Sequence, residues 1–321
     1  MTDVGCAGIL VEDTFCGPMG DLPVAGSVLL LDHMPMRAGG CAANVAIDLA
    51  KQGITAELVG CVGSDGGADL LAKTLKAQGV GCEMIARVDT YPTSKTIILL
   101  VDGQDRRYLH VPGANKAFTT NHIPRDWLSK LKIFYLGGLF ALPGFNIQDL
   151  LDLLRFCRAS SVTTVVDVVV PQGLRGMNQL APLLPYIDVF VPNEDEAWAF
   201  TGVTDTNDQL KCFHGAGANT VIITRGGAGS VALRAGRTWQ CGSYQTRAVD
   251  PSGSGDAFTS GVIRGLLLGW ELPTTLRYAS AVGASATRAA GATDSVFSAL
   301  EAEAFMKEHA LTVSEGTIRW M

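Results

Sequence analysis

The sequence is most informative at Val249-Asp250-Pro251-Ser252-Gly253-Ser254-Gly255-Asp256-Ala257-Phe258. From its last residue onward, apolar side chains recur every four residues, at Phe258, Val262 and Leu266, and this spacing predicts a helix. The run 253–255 therefore opens that helix, where main-chain N–H groups are unpaired and attract anions. Asp256 adds a carboxylate there. Such a pairing suits phosphoryl transfer, because the amides can hold the moving phosphate while the carboxylate takes a proton from the attacking hydroxyl. By itself, such a run before a helix is usually just a turn with a helix cap.

The composition excludes several functional classes. Of 321 residues, 47% are hydrophobic and the formal net charge is −6, so a large core is available and a nucleic-acid backbone is a poor partner. No apolar run reaches the roughly 18–20 residues of a membrane span, and the N-terminus lacks a signal-peptide pattern. The eight cysteines are scattered without a C-x-x-C pair, which indicates free thiols in a reducing compartment. We therefore expect a cytoplasmic protein that binds neither membrane nor nucleic acid.

Apolar runs of strand and helix length alternate along most of the chain, beginning with a predicted strand at Ala7–Val11. This alternation predicts an α/β fold with a central, mostly parallel sheet and helices on both faces. We expect further helices at Gln179–Leu184, Thr274–Ala289 and Ala299–His309. The tail 312–321 carries no assignment.

The middle of the chain predicts a second, smaller sheet. Thr96–Val101 and Arg106–Val111 have strand character and are joined by Asp102-Gly103, a strong hairpin signal. A third strand is expected at Val28–Leu31. This sheet would be an insertion, drawn from about 13–36 and 92–112, within a single domain of residues 1–321.

A second motif, Gly39-Gly40-Cys41-Ala42-Ala43-Asn44, opens another predicted helix. Its small residues let a ligand approach the main chain, and the Asn44 amide can both donate to and accept from a sugar hydroxyl. The alternative is an Ala-rich helix packed tightly on the sheet.

A third motif, Pro192-Asn193-Glu194-Asp195-Glu196, follows a predicted strand at Val189–Val191. Ligands of open α/β sheets bind at the carboxyl ends of strands, and Asn193 and Glu196 share one helix face. A carboxylate there could orient water on Mg²⁺. Acidic residues that complement a helix dipole are the alternative.

A fourth motif, Thr224-Arg225-Gly226-Gly227-Ala228-Gly229, also follows a strand. Its glycines would let a nucleotide lie on the main chain, and a plain hairpin loop is the alternative. Arg225 would pair with phosphate or point to solvent. His110, on the predicted hairpin, would contact ligand or serve only in packing.

Other chemistries lack their signatures. The chain has no G-x-x-x-x-G-K-[ST], no G-x-G-x-x-G after the first strand and no G-x-S-x-G. Its five histidines form no metal-spaced pair. A P-loop enzyme, a dinucleotide oxidoreductase and an α/β-hydrolase are therefore disfavoured.

Together the four motifs resemble those of the ribokinase family of carbohydrate kinases, also called the PfkB family. The resemblance covers essentially the whole chain in family order and includes Gly63-Ser64-Asp65-Gly66, similar to the family's G-x-D-x-x-G. Residues 193–196, 224–229 and 250–256 resemble its N-x-x-E, T-x-G-x-x-G and D-T-x-G-A-G-D. The resemblance implies a ribokinase-like fold whose small sheet is a lid over the sugar. It also implies transfer of the ATP γ-phosphoryl group to a sugar hydroxyl, with Mg²⁺.

The resemblance further implies roles for single residues. Asp256 would be the base, and the main chain of Gly253, Ser254 and Gly255 would form the anion hole. Positions similar to those that hold sugar hydroxyls are Asp13, Gly39, Gly40 and Asn44. Positions similar to those in the nucleotide and phosphate regions are Asn193, Thr224, Gly226, Gly229 and Ser280. Glu196 would hold Mg²⁺ through water, and the lid builds a homodimer in many relatives.

The sequence departs from the family pattern at Pro251, Ser252 and Ser254. In relatives this loop, with a segment near Gly291, often holds a monovalent cation, and Asp250 with Ser252 leaves a K⁺ site open. The acceptor also stays open between a small sugar and a nucleoside of the adenosine or pseudouridine type. A catalytically silent relative that binds sugar or nucleotide is the remaining alternative.

Overall fold

The computed structural model describes residues 2–104 and 106–317. Its strands are β1 (Val4–Gly8), β2 (Val11–Met19), β3 (Met36–Gly39), β4 (Ala56–Gly63), β5 (Gly81–Val88), β6 (Lys95–Val101), β7 (Arg107–Val111), β8 (Ile133–Leu139), β9 (Thr163–Val168), β10 (Val189–Phe190), β11 (Thr220–Thr224), β12 (Ser230–Arg234), β13 (Arg237–Cys241) and β14 (Val313–Thr317). Its helices are α1 (Cys41–Lys51), α2 (Gly66–Ala77), α3 (Arg125–Leu128), α4 (Ile147–Ala159), α5 (Glu194–Thr201), α6 (Thr206–Gly215), α7 (Ser254–Leu267), α8 (Leu272–Ala286) and α9 (Ala299–Glu308).

The main sheet has ten strands in the order β14-β13-β12-β11-β10-β9-β8-β1-β4-β5. The seven from β11 to β5 are parallel, and β12, β13 and β14 extend the sheet antiparallel. Apolar clusters cover both faces, one with α1, α7 and α8 and the other with α4, α5 and α6. Burial on both faces explains the continuous apolar strands, and every residue of β8 is buried. The predicted fold class is confirmed.

The small sheet has the order β3-β2-β6-β7 and contains the predicted hairpin as β6 and β7. Its other strands are β2 and β3, so the strand expected at Val28–Leu31 is wrong. That segment has no regular structure, and Val28 and Leu30 are 84% and 89% exposed. An apolar run forms a strand only where a neighbouring strand accepts its hydrogen bonds, and this run has none in the described structure. The boundaries of a single domain with an insertion stay a prediction.

The strand expected at Ala7–Val11 is divided in the structure, because β1 ends at Gly8 and β2 begins at Val11 in the other sheet. The Asn115 side chain fixes this break: its Oδ1 accepts from the Leu10 N–H at 3.1 Å, and its Nδ2 donates to the Leu10 carbonyl at 3.0 Å. The chain thus leaves the main sheet at its carboxyl edge, and Asp13 follows directly.

The helix expected at Gln179–Leu184 is also wrong. The segment forms turns and a short 3₁₀ helix at Leu184–Tyr186. Pro182 and Pro185 each remove a main-chain donor, which prevents a continuous α-helix, although the leucines between them are buried. Sequence patterns missed β2 beyond Val11, β3, β5, β13, β14, α3 and α6. The unassigned tail contains β14, and residues 318–321 lie outside the described residues.

Candidate active site

The start of α7 is formed by a glycine that no other residue could replace without strain. Gly253 is the N-cap, with φ of 73°, and its carbonyl accepts from the Ala257 N–H at 2.8 Å. A Cβ at Gly253 would overlap the main chain of Ala292. Both the positive φ and this close approach require glycine. The late segment around Ala292 therefore fixes the direction in which the helix begins.

The first turn of α7 presents unpaired amides. The N–H groups of Gly253, Gly255 and Asp256 have no acceptor within the described part of the chain. The Ser254 N–H lies 3.3 Å from the Pro251 carbonyl, in a turn. The cradle predicted from Gly253, Ser254 and Gly255 thus gains the Asp256 amide, while the Ser254 amide is partly engaged. Nothing lies within 4 Å of a Cβ built at Gly255, so this part of the cradle is open.

The Asp256 carboxylate faces α1. The Asn44 Nδ2 donates to its Oδ2 at 2.8 Å, and the Asn44 Oδ1 has no partner among the described residues. Burial raises the pKa of Asp256 to about 6, and hydrogen bonds from Asn44 and Cys41 oppose that rise. Hence a partly buried, ionisable carboxylate lies beside an amide whose oxygen is free to accept a hydrogen bond.

Two further side chains adjoin Asp256. Cys41, Asp167 and Asp256 place their ligand-type atoms within 4.8 Å of one another. Asp167 accepts from the Tyr135 hydroxyl and from the Gly138 N–H. Burial, aided by the Asp256 charge, raises the pKa of Asp167 well above its usual range. Burial raises the pKa of Cys41 as well, so the thiol is a neutral donor and a poor metal ligand.

The acceptor-side residues predicted from the second motif lie together. A Cβ at Gly39 would overlap the Asp13 carboxylate, and a Cβ at Gly40, whose φ is 91°, would overlap the Ile9 carbonyl. Burial raises the pKa of Asp13 to about 6, a hydrogen bond from Thr96 opposes the rise, and the Asp256 charge adds to it. The structure therefore brings Asp13, Gly39, Gly40 and Asn44 to one side of Asp256.

His110 belongs to the small sheet rather than to this group. It pairs with Thr96, which pairs with Asp13 on β2, so the three form a row across the sheet. The His110 Nδ1 lies 3.0 Å from the Thr96 Oγ1. Its ring therefore reaches Asp13 only through Thr96.

On the other side of the cradle lies a cavity of about 330 Å³. Of the predicted nucleotide residues, those that line it are Thr224, Gly226, Gly229 and Ser280, together with Ser254 and Gly255 of the cradle. A further wall, which no sequence pattern indicated, is formed by residues 243–246 and 248 and includes Tyr244 and Thr246. Arg225 does not enter the cavity, because its Nη2 donates to the Ala228 carbonyl of its own loop at 3.0 Å.

Asn193 and Glu196 form a capping box at the start of α5. The Asn193 Oδ1 accepts from the Glu196 N–H at 2.8 Å, and the Glu196 Oε2 accepts from the Asn193 N–H at 2.9 Å. The predicted dipole-complementing role is thus present. Asn193 forms a bridge with Thr224, beside the cavity but not lining it. Burial, then the charges of Asp256 and Asp195, raise the pKa of Glu196 to about 7 against the Asn193 hydrogen bonds.

Asp250 and Ser252 lie outside the cavity and bind each other. The Ser252 amide and hydroxyl donate to the Asp250 Oδ1 at 2.9 and 2.7 Å, and the Gly291 N–H donates to the Oδ2 at 3.2 Å. Arg106 of the small sheet also reaches the Asp250 Oδ1. No sequence pattern connected Arg106 with this loop.

Asp167 was not among the site residues predicted from the sequence. Its signal is a single acidic residue in the otherwise apolar run Val165-Val166-Asp167-Val168-Val169, at the carboxyl end of β9. A charged residue in a buried strand needs a partner, so such a residue at this edge indicates a site.

Within the described residues, no helix is long and apolar enough to span a membrane.

The chain matches a model of the pfkB family of carbohydrate kinases over residues 1–299. A ribokinase of Haemophilus influenzae is 25% identical over 297 residues, which is 89% of this chain and 92% of the relative. An ATP-dependent 6-phosphofructokinase of Thermoanaerobacterium thermosaccharolyticum is 26% identical over 259 residues, 79% of this chain and 80% of the relative. The Arabidopsis thaliana ribokinase solved with ribose and ATP superposes with a TM-score of 0.82 at 23% identity, covering 96% of this chain and 99% of the other.

The chain belongs to the pfkB family of carbohydrate kinases. By that membership it is an ATP-dependent carbohydrate kinase, as the motifs predicted. The fold is that of the ribokinases, since the Thermotoga maritima ribokinase also superposes with a TM-score of 0.81 over 96% of this chain.

Proposed function

We propose that this kinase transfers the γ-phosphoryl group of ATP to a hydroxyl of a small, neutral sugar. The observation that carries the proposal is the position of Asp256. Its carboxylate lies at the start of α7 with Asn44 on one side, while the Ser254–Gly255 cradle opens into the nucleotide-sized cavity on the other. An alcohol held at Asn44 and a triphosphate held in the cavity would therefore meet at this carboxylate.

Asp256 acts as the general base. It takes the proton of the acceptor hydroxyl as the oxygen attacks phosphorus, so the charge that builds on the nucleophile is relieved. Because burial raises the pKa of Asp256 to about 6, the carboxylate is ionised at neutral pH but accepts a proton readily. General-base assistance of this kind contributes about 10²–10⁴-fold to a rate.

The cradle stabilises the transferred group. The unpaired amides of Gly253, Gly255 and Asp256 lie at the positive end of α7 and donate to the oxygens of the moving phosphoryl group. The removal of a single donor of this type costs on the order of 10²–10³-fold in well-studied enzymes. The transfer is direct, without a covalent enzyme intermediate.

Glu196 would hold Mg²⁺ through water, and Asn193 would lie in the nucleotide and phosphate region beside it. The fit rests on Glu196, whose pKa is raised to about 7 by burial and by neighbouring acids, so that the site favours a positive charge. When bound, Mg²⁺ supplies charge neutralisation of the phosphates. Thr224, Gly226, Gly229 and Ser280 line the nucleotide cavity.

The acceptor pocket favours a neutral polyol. Asp13, Asp167 and Asp256 have their pKa values raised by burial, and the Asp256 charge further raises those of Asp13 and Asp167. A carboxylate or phosphate on the acceptor would add negative charge to this acidic group. Hydroxyls, in contrast, can donate to Asp13 and to the unpartnered Asn44 Oδ1.

The small sheet would act as a lid over the acceptor, since Asp13 belongs to its strand β2. We also propose that the lid builds a homodimer. Its strand β7 exposes Leu109 and Val111 on one face of the sheet, where Leu109 pairs with the exposed Ile97 of β6, and an exposed apolar surface of this kind marks an interaction site. All eight cysteines are free thiols, which supports a cytoplasmic location.

The proposal is tested by measuring ADP release with ATP, Mg²⁺ and a panel of acceptors. We expect turnover with one or more free pentoses or hexoses, and weak or no turnover with sugar acids and sugar phosphates. Preferred turnover of a nucleoside would favour the nucleoside-kinase alternative. Absence of turnover with every acceptor, while ATP and a sugar still bind, would favour a silent binding protein.

A further inference from the structure

The side chain of Arg106, the residue just before strand β7 of the small sheet, reaches into the loop that precedes the phosphate cradle. The Arg106 Nη1 lies 3.1 Å from the Asp250 Oδ1 and 3.1 Å from the Ser252 Oγ. Arg106 directly precedes β7, whereas Asp250 lies 144 residues later in the chain. The contact therefore joins two distant parts of the fold.

The ion pair is largely removed from solvent. The side chains of Arg106 and Asp250 are 22% and 2% exposed. A buried carboxylate requires a counter-charge or several hydrogen bonds, and Asp250 has both. Its Oδ1 accepts from Arg106 and twice from Ser252, and its Oδ2 accepts from the Gly291 N–H.

This arrangement does not fit a monovalent cation bound to the Asp250 carboxylate. The Oδ1 already accepts three donors, and a K⁺ ion there would lie beside a guanidinium group and would have to displace it. The chemistry that a cation would bring, one positive charge next to a buried carboxylate, is already present in the side chain of Arg106.

We propose that Arg106 takes the place of a monovalent cation in the loop before α7, and that it positions the phosphate cradle from the small sheet. The loop is held from one side by the Thr287 carbonyl, which accepts from the N–H groups of Val249 and Asp250 at 2.7 and 3.1 Å. Arg106 holds it from the other side. Gly253 follows Asp250 after only two residues and packs against Ala292, so a displaced Asp250 would displace the cradle amides.

Arg106 is a positioning residue in this proposal, because it acts through Asp250. Two consequences follow. The wild-type enzyme needs no K⁺, and a variant without the guanidinium group acquires a site that K⁺ can fill. Arg107 provides a matched control, since it is the adjacent arginine and donates to Gln104 rather than to the loop.

The test compares the full-length wild type with Arg106→Ala, Arg106→Lys and Arg107→Ala, each in potassium chloride and in tetramethylammonium chloride at equal ionic strength. For the wild type and Arg107→Ala we expect equal turnover in both salts. For Arg106→Ala we expect kcat to fall by roughly 10- to 100-fold in tetramethylammonium chloride and to recover in part in potassium chloride. Arg106→Lys keeps one positive charge and should need no added cation.

Thermal unfolding without nucleotide or acceptor gives a second readout. K⁺ should raise the Tm of Arg106→Ala by a few degrees over tetramethylammonium and leave that of the wild type unchanged. The activity arm rests on the proposed function, whereas the Tm arm does not, so a wrong acceptor class leaves it intact. K⁺-specific activation or stabilisation of the wild type would overturn the proposal. An Arg106→Ala variant with the same turnover and Tm as Arg107→Ala would also overturn it. So would a loss of turnover in Arg106→Ala that K⁺ does not reduce.

Discussion

The Asn44 amide donates a 2.8 Å hydrogen bond to Asp256 across the contact between α1 and α7, joining residues that are 212 positions apart. Asn44 comes from the motif that resembles the sugar-binding region, and Asp256 from the one that resembles the phosphate-binding region. The bond therefore places the residue expected to bind the sugar next to the residue expected to act on the phosphoryl transfer. It also makes the pKa of the proposed base depend on a neutral hydrogen-bond donor on the acceptor side.

Removal of this donor should change the pH dependence of turnover. A hydrogen bond to a charged group contributes about 1.5–3 kcal/mol, which corresponds to about one to two pH units. The bond from Asn44 lowers the pKa of Asp256, so Asn44→Ala should raise it from about 6. Since the base works only when ionised, the acid limb of the kcat profile should move to higher pH. Asn121→Ala, at an exposed position, should leave the profile unchanged. An acid limb that does not shift in Asn44→Ala would show that the ionisation of Asp256 does not cause that limb.

Gly39 should control the binding of the acceptor. A Cβ at Gly39 would overlap the Asp13 carboxylate, so Gly39→Ala must move Asp13. We expect the KM for the acceptor to rise about tenfold or more, with little change in the KM for ATP. Gly66→Ala is the matched control, because Gly66 begins α2 and a Cβ there meets nothing within 4 Å. Equal acceptor KM values for the two variants would show that Asp13 does not bind the acceptor.

Asp48 should make the stability depend on pH. It lies on α1 one turn after Asn44, is fully buried, and has two carboxylate oxygens without a partner in the described structure. Burial, and next the Asp256 charge, raise its pKa well above the usual range, while Lys51 opposes this. The folded state thus holds the proton more tightly than the unfolded chain does. The contribution of Asp48 to the stability should therefore fall as the pH rises above about 4, by up to about 1.4 kcal/mol per pH unit.

Asp48→Asn should remove that dependence. The difference between the free energies of unfolding of the variant and of wild type should increase, in favour of the variant, by on the order of 1 kcal/mol or more between about pH 5 and about pH 8. Chemical denaturation at several pH values measures it. Asp126→Asn, at an exposed position of α3, should show no such trend. Parallel pH curves for Asp48→Asn and wild type would mean that Asp48 is ionised in the folded protein.

The sequence predicted those parts of the site whose signals are local. The glycine runs at 39–40 and 253–255 open helices in the structure, and Thr224–Gly229 lies at the cavity. Arg106 could not be predicted, because its partner Asp250 is fixed only by the packing of the small sheet. Residues 243–246 and 248 form a wall of the cavity without regular structure, and no periodicity marks such a segment.

The two wrong predictions of secondary structure have the same origin. Val28–Leu31 has the composition of a strand, but composition does not specify a neighbouring strand. Gln179–Leu184 has apolar residues at helical spacing, and the prolines that flank its leucines decide against a helix. The alternation along the rest of the chain predicted the fold class, because buried parallel strands and their covering helices must both be apolar at characteristic lengths.

The most direct test of the central claim is kcat for Asp256→Asn with the acceptor found in the panel. The substitution keeps the shape of the side chain and removes a partly buried charge, so the variant should fold with a Tm at least equal to that of wild type and should still bind ATP. We predict that kcat falls by at least about 10²-fold. Turnover close to that of wild type, in a variant that binds ATP normally, would contradict the assignment of Asp256 as the base.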